Sequence, residues 1–167
     1  MPLESCPKYE ALSYRWGADN DSEKIFVDGL SVKISRTLKR ALQEWQSSTE
    51  TKLVWVDALC IDQANDQERN EQVTKMRNIY SQAANVVVWL GEGTPSSPLA
   101  FSLVRDLYGH LNESAYFGDA LLDAHRQSHW DALVEIMERE YWQRIWVVQE
   151  INSARSLILR CGSDANK

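Results

Sequence analysis

Along residues 9–162 the apolar positions switch repeatedly between the two-residue period of a strand and the 3.6-residue period of a helix. Tyr9–Tyr14 (YEALSY) alternates and runs into Arg15-Trp16-Gly17, predicting a strand that stops at a glycine. Lys24–Ile34 sets two β-branched runs around Asp28-Gly29, a hairpin signal. Ser35 then caps a helix to about Gln46 whose inner face is Leu38, Ala41, Leu42 and Trp45. Lys52–Asp57 (KLVWVD) is a nearly continuous apolar run ending in an acid, as expected of a strand covered on both faces. Asp66 is placed as an N-cap, and Arg69–Ala83 carries Val73, Met76, Ile79, Tyr80 and Ala83 at helical spacing. Val86–Leu90 (VVVWL) reads as a further buried strand closed by Gly91.

This alternation of strands and helices predicts parallel βαβ units. After a turn at Glu92–Pro98, Leu99–Leu111 repeats leucine every fourth position (99, 103, 107 and 111), a helix with a narrow apolar seam. Asn112–Ser128 has no clean period, though Tyr116, Phe117, Leu121 and Leu122 predict that it packs down. Trp130–Glu140 is again helical, and Ser156–Cys161 (SLILRC) reads as a strand ending at Gly162. The reading is one α/β domain over 1–167: a mostly parallel sheet flanked by helices, with an extra β-hairpin near the N-terminus. A helical insertion at about 92–140 precedes the last helix-strand unit.

Tyr141–Ile151 (YWQRIWVVQEI) is where chemistry enters. On a helix, Trp142, Trp146 and Glu150 share one face, which Ile145 and Val148 widen, so Glu150 falls where a buried stripe meets solvent or a cleft. A carboxylate beside indole rings is partly desolvated, one route to a catalytic group with a raised pKa. The alternative is a helix-surface glutamate paired with Arg144 or Arg155.

Composition and charge narrow the picture further. Apolar residues at 44% and charged residues at 25% describe an ordered globular chain. A net charge of −6 without any basic run argues against nucleic acid or an anionic membrane as partner. No apolar stretch approaches the ~20 residues of a membrane span, and the N-terminus has no signal-peptide pattern, which predicts a cytoplasmic protein. Cys6, Cys60 and Cys161, an odd set at wide spacing, fit reduced thiols better than a disulfide framework. The seven Trp exceed what one core buries, so some are expected to line a groove or interface.

In an open parallel sheet, ligands bind beyond the carboxyl ends of the strands. Those ends are Ser13-Tyr14-Arg15-Trp16-Gly17, Asp57-Ala58-Leu59-Cys60 and Leu90-Gly91-Glu92, joined by Glu150 if its helix packs beside the first and third strands. Carboxylates, one Arg, aromatic faces and hydroxyls suit sugar hydroxyls and a flat heteroaromatic ring. Asp57 serves either this pocket or the cap of the loop after it. Other chemistries fit poorly. His125 and His129 lack the adjacent Glu of a zinc protease, so no metal site is expected. Gly91-Glu92-Gly93 lacks the Lys of a phosphate loop, and Cys60, with no His nearby in sequence, is expected to be a buried structural thiol.

Five blocks in order, YEALSYRWG (9–17), LVWVDALCIDQ (53–63), Glu68–Ala83, VVVWLG (86–91) and YWQRIWVVQEI (141–151), resemble the fungal heterokaryon incompatibility (HET) domain. That family is linked to self/non-self recognition and the cell death that follows fusion of incompatible cells. It is in turn similar to the Toll/interleukin-1 receptor-like (TIR) domain, which implies a flavodoxin-like fold. Trp146-Val-Val-Gln-Glu150 looks like the TIR pattern of Trp, three residues, Glu, so the resemblance implies that Glu150 is catalytic in cleaving NAD to nicotinamide and ADP-ribose. Ser13, Tyr14, Arg15, Trp16, Gly17, Asp57 and Trp146 would bind that substrate, with Trp16 and Trp146 stacking on its rings and Arg15 meeting a phosphate. No cofactor is implied; NAD is the substrate, and a homo-oligomer acting with other signalling proteins is expected. Three features depart from a TIR domain: residues 92–140 separate the third strand from the Trp–Glu helix, the Asp28-Gly29 hairpin is extra, and the main series has four strands rather than five. The alternative is a non-catalytic self-association module that transmits a cell-death signal.

Overall fold

Three stretches, residues 7–17, 22–46 and 51–166, are described by the computed structural model; Cys6, expected as a reduced thiol, lies outside the described residues. The central strand is β5 (Asn85–Trp89), whose Val86, Val87, Val88 and Trp89 are all buried, as an unbroken apolar run requires. It pairs in parallel with β1 (Glu10–Tyr14) in the register Glu10↔Asn85 to Tyr14↔Trp89, and with β6 (Leu157–Cys161) on its other side. Beyond β1 lies β4 (Val54–Trp55), also parallel. Counted as a parallel series, the order is second, first, third, fourth, the flavodoxin-like arrangement. A fifth strand, β7 (Asp164–Asn166), turns back antiparallel on β6; Gly162 makes that turn at a φ of 57°.

Strands β2 (Ser22–Val27) and β3 (Leu30–Ser35) form a separate two-stranded sheet. Its turn, Asp28-Gly29, has φ of 49° and 78°, both left-handed as a two-residue hairpin loop demands. Ser35 ends β3 and caps α1 (Arg36–Trp45), accepting the Leu38 N–H at 3.2 Å.

The sheet carries a separate core on each face. Leu12, Tyr14, Val87 and Trp89 pack with Ile34 of the hairpin and Leu38, Ala41 and Trp45 of α1. On the other face, Ala11, Val86 and Val88 pack with Met76, Ile79 and Tyr80 of α3 (Asp66–Gln82) and with Val147 of α7 (Val147–Ser153). The insertion joins this second core. Its helices are α4 (Ser97–Gly109), α5 (Ser114–Leu122) and α6 (Gln127–Met137), and Ala100, Phe101, Ala132 and Ile136 reach inward.

Several sequence expectations need correction. The 52–57 run is not a strand covered on both faces: β4 is a two-residue edge strand with both side chains half-buried, and the chain leaves it at Val56 into the short helix α2 (Asp57–Cys60). The cap of α3 is Asn65, whose side chain accepts the N–H groups of Gln67 and Glu68 at 3.1 and 3.2 Å. Asp66 is thereby the first helical residue, where its charge suits the helix dipole. In α4 the buried set is Ser97, Ala100, Phe101 and Leu103, while Leu111 lies beyond the helix and is exposed. Residues 112–128 are held by polar contacts more than by Leu121 and Leu122, which are exposed. Tyr116 and Arg126 both donate to Asp106, and His110 stacks on Tyr116 at 3.8 Å. Finally, 141–151 is not one helix. A 3-10 turn (Glu140–Gln143) gives way to extended backbone at Arg144 (φ −77°, ψ 130°) before α7 begins. Trp142, Trp146 and Glu150 therefore do not share one helical face, and Ile145 and Val148 point to solvent.

Candidate functional site

Ser13 is the fourth residue of β1 and faces the same side of the sheet as Ala11, towards α7. Glu150 lies on the inward side of α7, three residues after Val147, and is only 1% exposed. The two meet: the Ser13 hydroxyl donates to Glu150 Oε2. Since a serine has one proton to give, the contact between Ser13 Oγ and Tyr141 Oη at 2.6 Å is donated by the tyrosine. A hydroxyl chain thus runs from Tyr141 through Ser13 to the carboxylate.

The charge of Glu150 is met by Arg144. Its guanidinium binds both carboxylate oxygens, Nη1 to Oε2 at 3.2 Å and Nη2 to Oε1 at 3.0 Å, the fork geometry that makes Arg–carboxylate pairs strong. The same guanidinium lies 5.6 Å from the centre of the Tyr141 ring. Extended backbone at Arg144 is what turns its side chain back towards α7, so the break in the predicted helix builds the ion pair. Of the two readings of Glu150, the pair with Arg144 is present, and it is buried rather than on the helix surface.

A second buried carboxylate sits across β1. Asp57 opens α2, where its Oδ1 accepts the Ala58 N–H at 2.7 Å and its Oδ2 accepts the Trp16 indole N–H at 2.6 Å. Of the two readings of Asp57, the local one is present: it makes the contact of a cap for the turn after β4, and it does not line the cleft at the carboxyl ends of β1 and β5. Burial pushes its pKa up, the two hydrogen bonds pull against this, and the Glu150 charge adds to the rise. Tyr14 is held well above the usual phenol range, by burial first and then by the Asp57 charge; Tyr141 is likewise raised, by burial first. Both are neutral donors at any physiological pH. Trp16 and Asp57 fix the chain just before Gly17, whose φ of 85° and close approach to Thr37 Oγ1 (3.1 Å from a Cβ) call for glycine.

Beside this network, a cleft of about 450 Å3 opens at the carboxyl ends of β1 and β5, lined among others by Arg15, Trp89, Gly91, Arg139 and Tyr141. Arg15 is paired there with Glu140 at 2.6 Å, an exposed bridge, and Arg139 Nη1 donates to the carbonyls of Leu90 and Glu92. Tyr141 is the link between cleft and carboxylate. The structure joins Ser13 to Glu150 on one face of the sheet, joins Trp16 to Asp57 beside Tyr14, and sets Arg15 on the cleft. Trp146, just before α7, instead faces a separate groove with Arg77 and Val148. Cys60 is exposed rather than buried, and partial desolvation raises its thiol pKa, which disfavours the reactive thiolate. Sequence reading missed Tyr141 as a site residue, because a tyrosine ahead of an apolar run reads as core.

A family profile described as "Heterokaryon incompatibility protein (HET)" matches residues 9–150. Among curated proteins, the chain is similar to "Heterokaryon incompatibility protein 6, OR allele" of Neurospora crassa, with 27% identity over 96% of this chain and 30% of that protein. It is also similar to "Vegetative incompatibility protein HET-E-1" of Podospora anserina, with 34% identity over 60% of this chain and 8% of that protein. The chain thus spans less than a third of either relative. No solved structure matches it.

Proposed function

Because the chain belongs to the heterokaryon incompatibility (HET) family, we propose that it is the signalling domain of a fungal incompatibility response leading to cell death, and that Glu150 cleaves NAD once assembly frees it from Arg144. The observation that supports this reading is the Ser13–Glu150 contact at the carboxyl end of β1, where strand order reverses; both residues are buried, and Tyr141, bonded to Ser13, separates them from the cleft it lines. The similarity of Trp146–Glu150 to NAD-cleaving TIR domains points to the same residue.

The chemistry needs little more than one carboxylate. Nicotinamide is cationic in NAD and leaves neutral, taking the electron pair of the C1′–N bond, so no acid is required to protonate it. Glycosidases with poorer leaving groups use two carboxylates for that purpose. Glu150 would hold the ribose hydroxyls and stabilise the oxocarbenium-like charge, an electrostatic role strengthened by burial. Water then adds at C1′ and releases its proton to solvent, giving ADP-ribose. Ser13 and Tyr141 would orient the carboxylate, while Arg15 would exchange Glu140 for a phosphate. Tyr14, Trp16, Gly17 and Asp57 would form the adjoining wall. Trp146 stacks on substrate only if the segment before α7 rearranges.

The carboxylate is occupied by Arg144 and Ser13. That same observation favours a second reading, a self-association module in which Glu150 is structural. NAD consumption by the purified chain under forced clustering, compared with Glu150→Gln, separates the two.

A further inference from the structure

Two exposed apolar surfaces of this chain lie on opposite faces of the sheet. The first is the hairpin tip, where Phe26 is 78% and Leu30 72% exposed; Leu30 pairs with Val27 and Phe26 with Ser31, so the two stand on opposite faces of the ribbon. The hairpin packs through Ile34 on the face of Leu12, Tyr14, Val87 and Trp89. The second is at the start of α7, where Ile145 is 84% and Val148 65% exposed. With Trp146 and Arg77 they line a groove of about 420 Å3, and α7 packs on the face of Ala11, Val86 and Val88.

Both surfaces expose large apolar side chains, and neither covers the other within one chain because the sheet stands between them. Their charges are complementary: Asp28 stands at the apex of the tip and Arg77 at the edge of the groove. Neither is in an ion pair among the described residues. The tip is a narrow protrusion and the groove is concave, which suits insertion of one into the other.

We infer that the hairpin tip of one copy inserts edge-on into the α7 groove of the next, so that Phe26 on one face of the ribbon and Leu30 on the other both meet the walls formed by Ile145, Trp146 and Val148, with Asp28 facing Arg77. The contact is heterologous, so each added copy leaves one tip and one groove open, and assembly continues as a ring or an open chain. It rests on the assembly-gated reading above and supplies its regulation. Ile145 and Trp146 directly follow Arg144, so a partner seated on them bears on the segment that holds the guanidinium against Glu150.

The test is the mass of the purified chain by light scattering over a rising concentration series, for wild type, Phe26→Asp and Val148→Asp. Both positions are exposed, and unchanged circular dichroism and melting confirm the folds. Wild type is expected to grow with concentration and each single variant to stay monomeric. An equimolar mixture of the two variants is expected to give a dimer and nothing larger, because only one intact tip and one intact groove remain to meet. Asp28→Asn and Arg77→Gln are each expected to weaken assembly several-fold without abolishing it. Wild type that stays monomeric, single variants that assemble as wild type does, or a mixture that stays monomeric would each overturn the contact. NAD cleavage under forced clustering is measured on the same preparations. Activity there with unaltered assembly in the variants removes this contact and leaves the functional reading standing. Absence of activity with the expected masses does the reverse.

Discussion

Ser13 and Glu150, separated by 137 positions in the chain, share a hydrogen bond in which the strand residue donates to the helix residue. This contact joins the first strand to the last helix at the carboxyl edge of the sheet, and Tyr141 extends it to the cleft. Ser13→Ala removes one donor from a buried carboxylate and the acceptor of a buried phenol. The expected cost is about 1–3 kcal/mol in a urea unfolding series, with an unchanged dependence on urea concentration.

Arg144 carries a larger share. Arg144→Met leaves Glu150 buried with its charge unmatched, and breaking a buried pair in this way costs about 3–5 kcal/mol. Combining it with Glu150→Leu removes both charges and should restore most of the loss. The double-mutant cycle is the check: a recovery of under about 1 kcal/mol would mean that the pair is not the main partner of either residue.

These two residues also mark where sequence reading reached and where it stopped. The strands β1, β5 and β6, the hairpin and its left-handed turn, and the Ser35 cap were all legible because local period and turn chemistry agree with the tertiary outcome. The edge strand β4 was over-read, since an apolar run does not reveal that its strand ends after two residues and bends into α2. β7 was missed because Asp164–Asn166 has no strand-like composition; it forms by pairing with β6 across the Gly162 turn. The helix over 141–151 failed at Arg144, whose extended backbone interrupts a stretch in which the apolar spacing alone gives no sign of a break. Glu150 and Ser13 were both singled out from sequence, yet that they touch is a property of strand order, which periodicity does not encode.

Asp57 gives a pH signature. Burial raises its folded pKa, so the fold favours the protonated form. The associated stability is fully present below the ordinary aspartate value of about 3.9 and is lost as pH rises through the raised value. Asp57→Asn carries no charge and escapes that loss. Its melting temperature relative to wild type should therefore be more favourable at pH 7 than at pH 3.5. The opposite trend would show that the hydrogen bonds from Trp16 and Ala58 outweigh burial.

Gly162 tests the β6–β7 turn. A Cβ there would lie 2.6 Å from the Gly93 amide nitrogen, and the φ of 57° is left-handed. Gly162→Ala should cost about 1–3 kcal/mol and loosen the loop after β5, seen as faster amide exchange at Glu92–Thr94. Equal exchange in the two proteins would contradict the close packing.

The most direct test of the central claim is nicotinamide release from NAD by the chain held at high local concentration through a fused, inducible oligomer, with wild type and Glu150→Gln side by side. Circular dichroism and melting establish that the variant is folded. The account predicts nicotinamide and ADP-ribose in equal amounts from clustered wild type, none above background from clustered Glu150→Gln, and little from the unclustered wild-type chain. Equal turnover in wild type and Glu150→Gln, or none in clustered wild type, would contradict a catalytic Glu150 and leave the Ser13–Glu150–Arg144 network as part of the core of a self-association module.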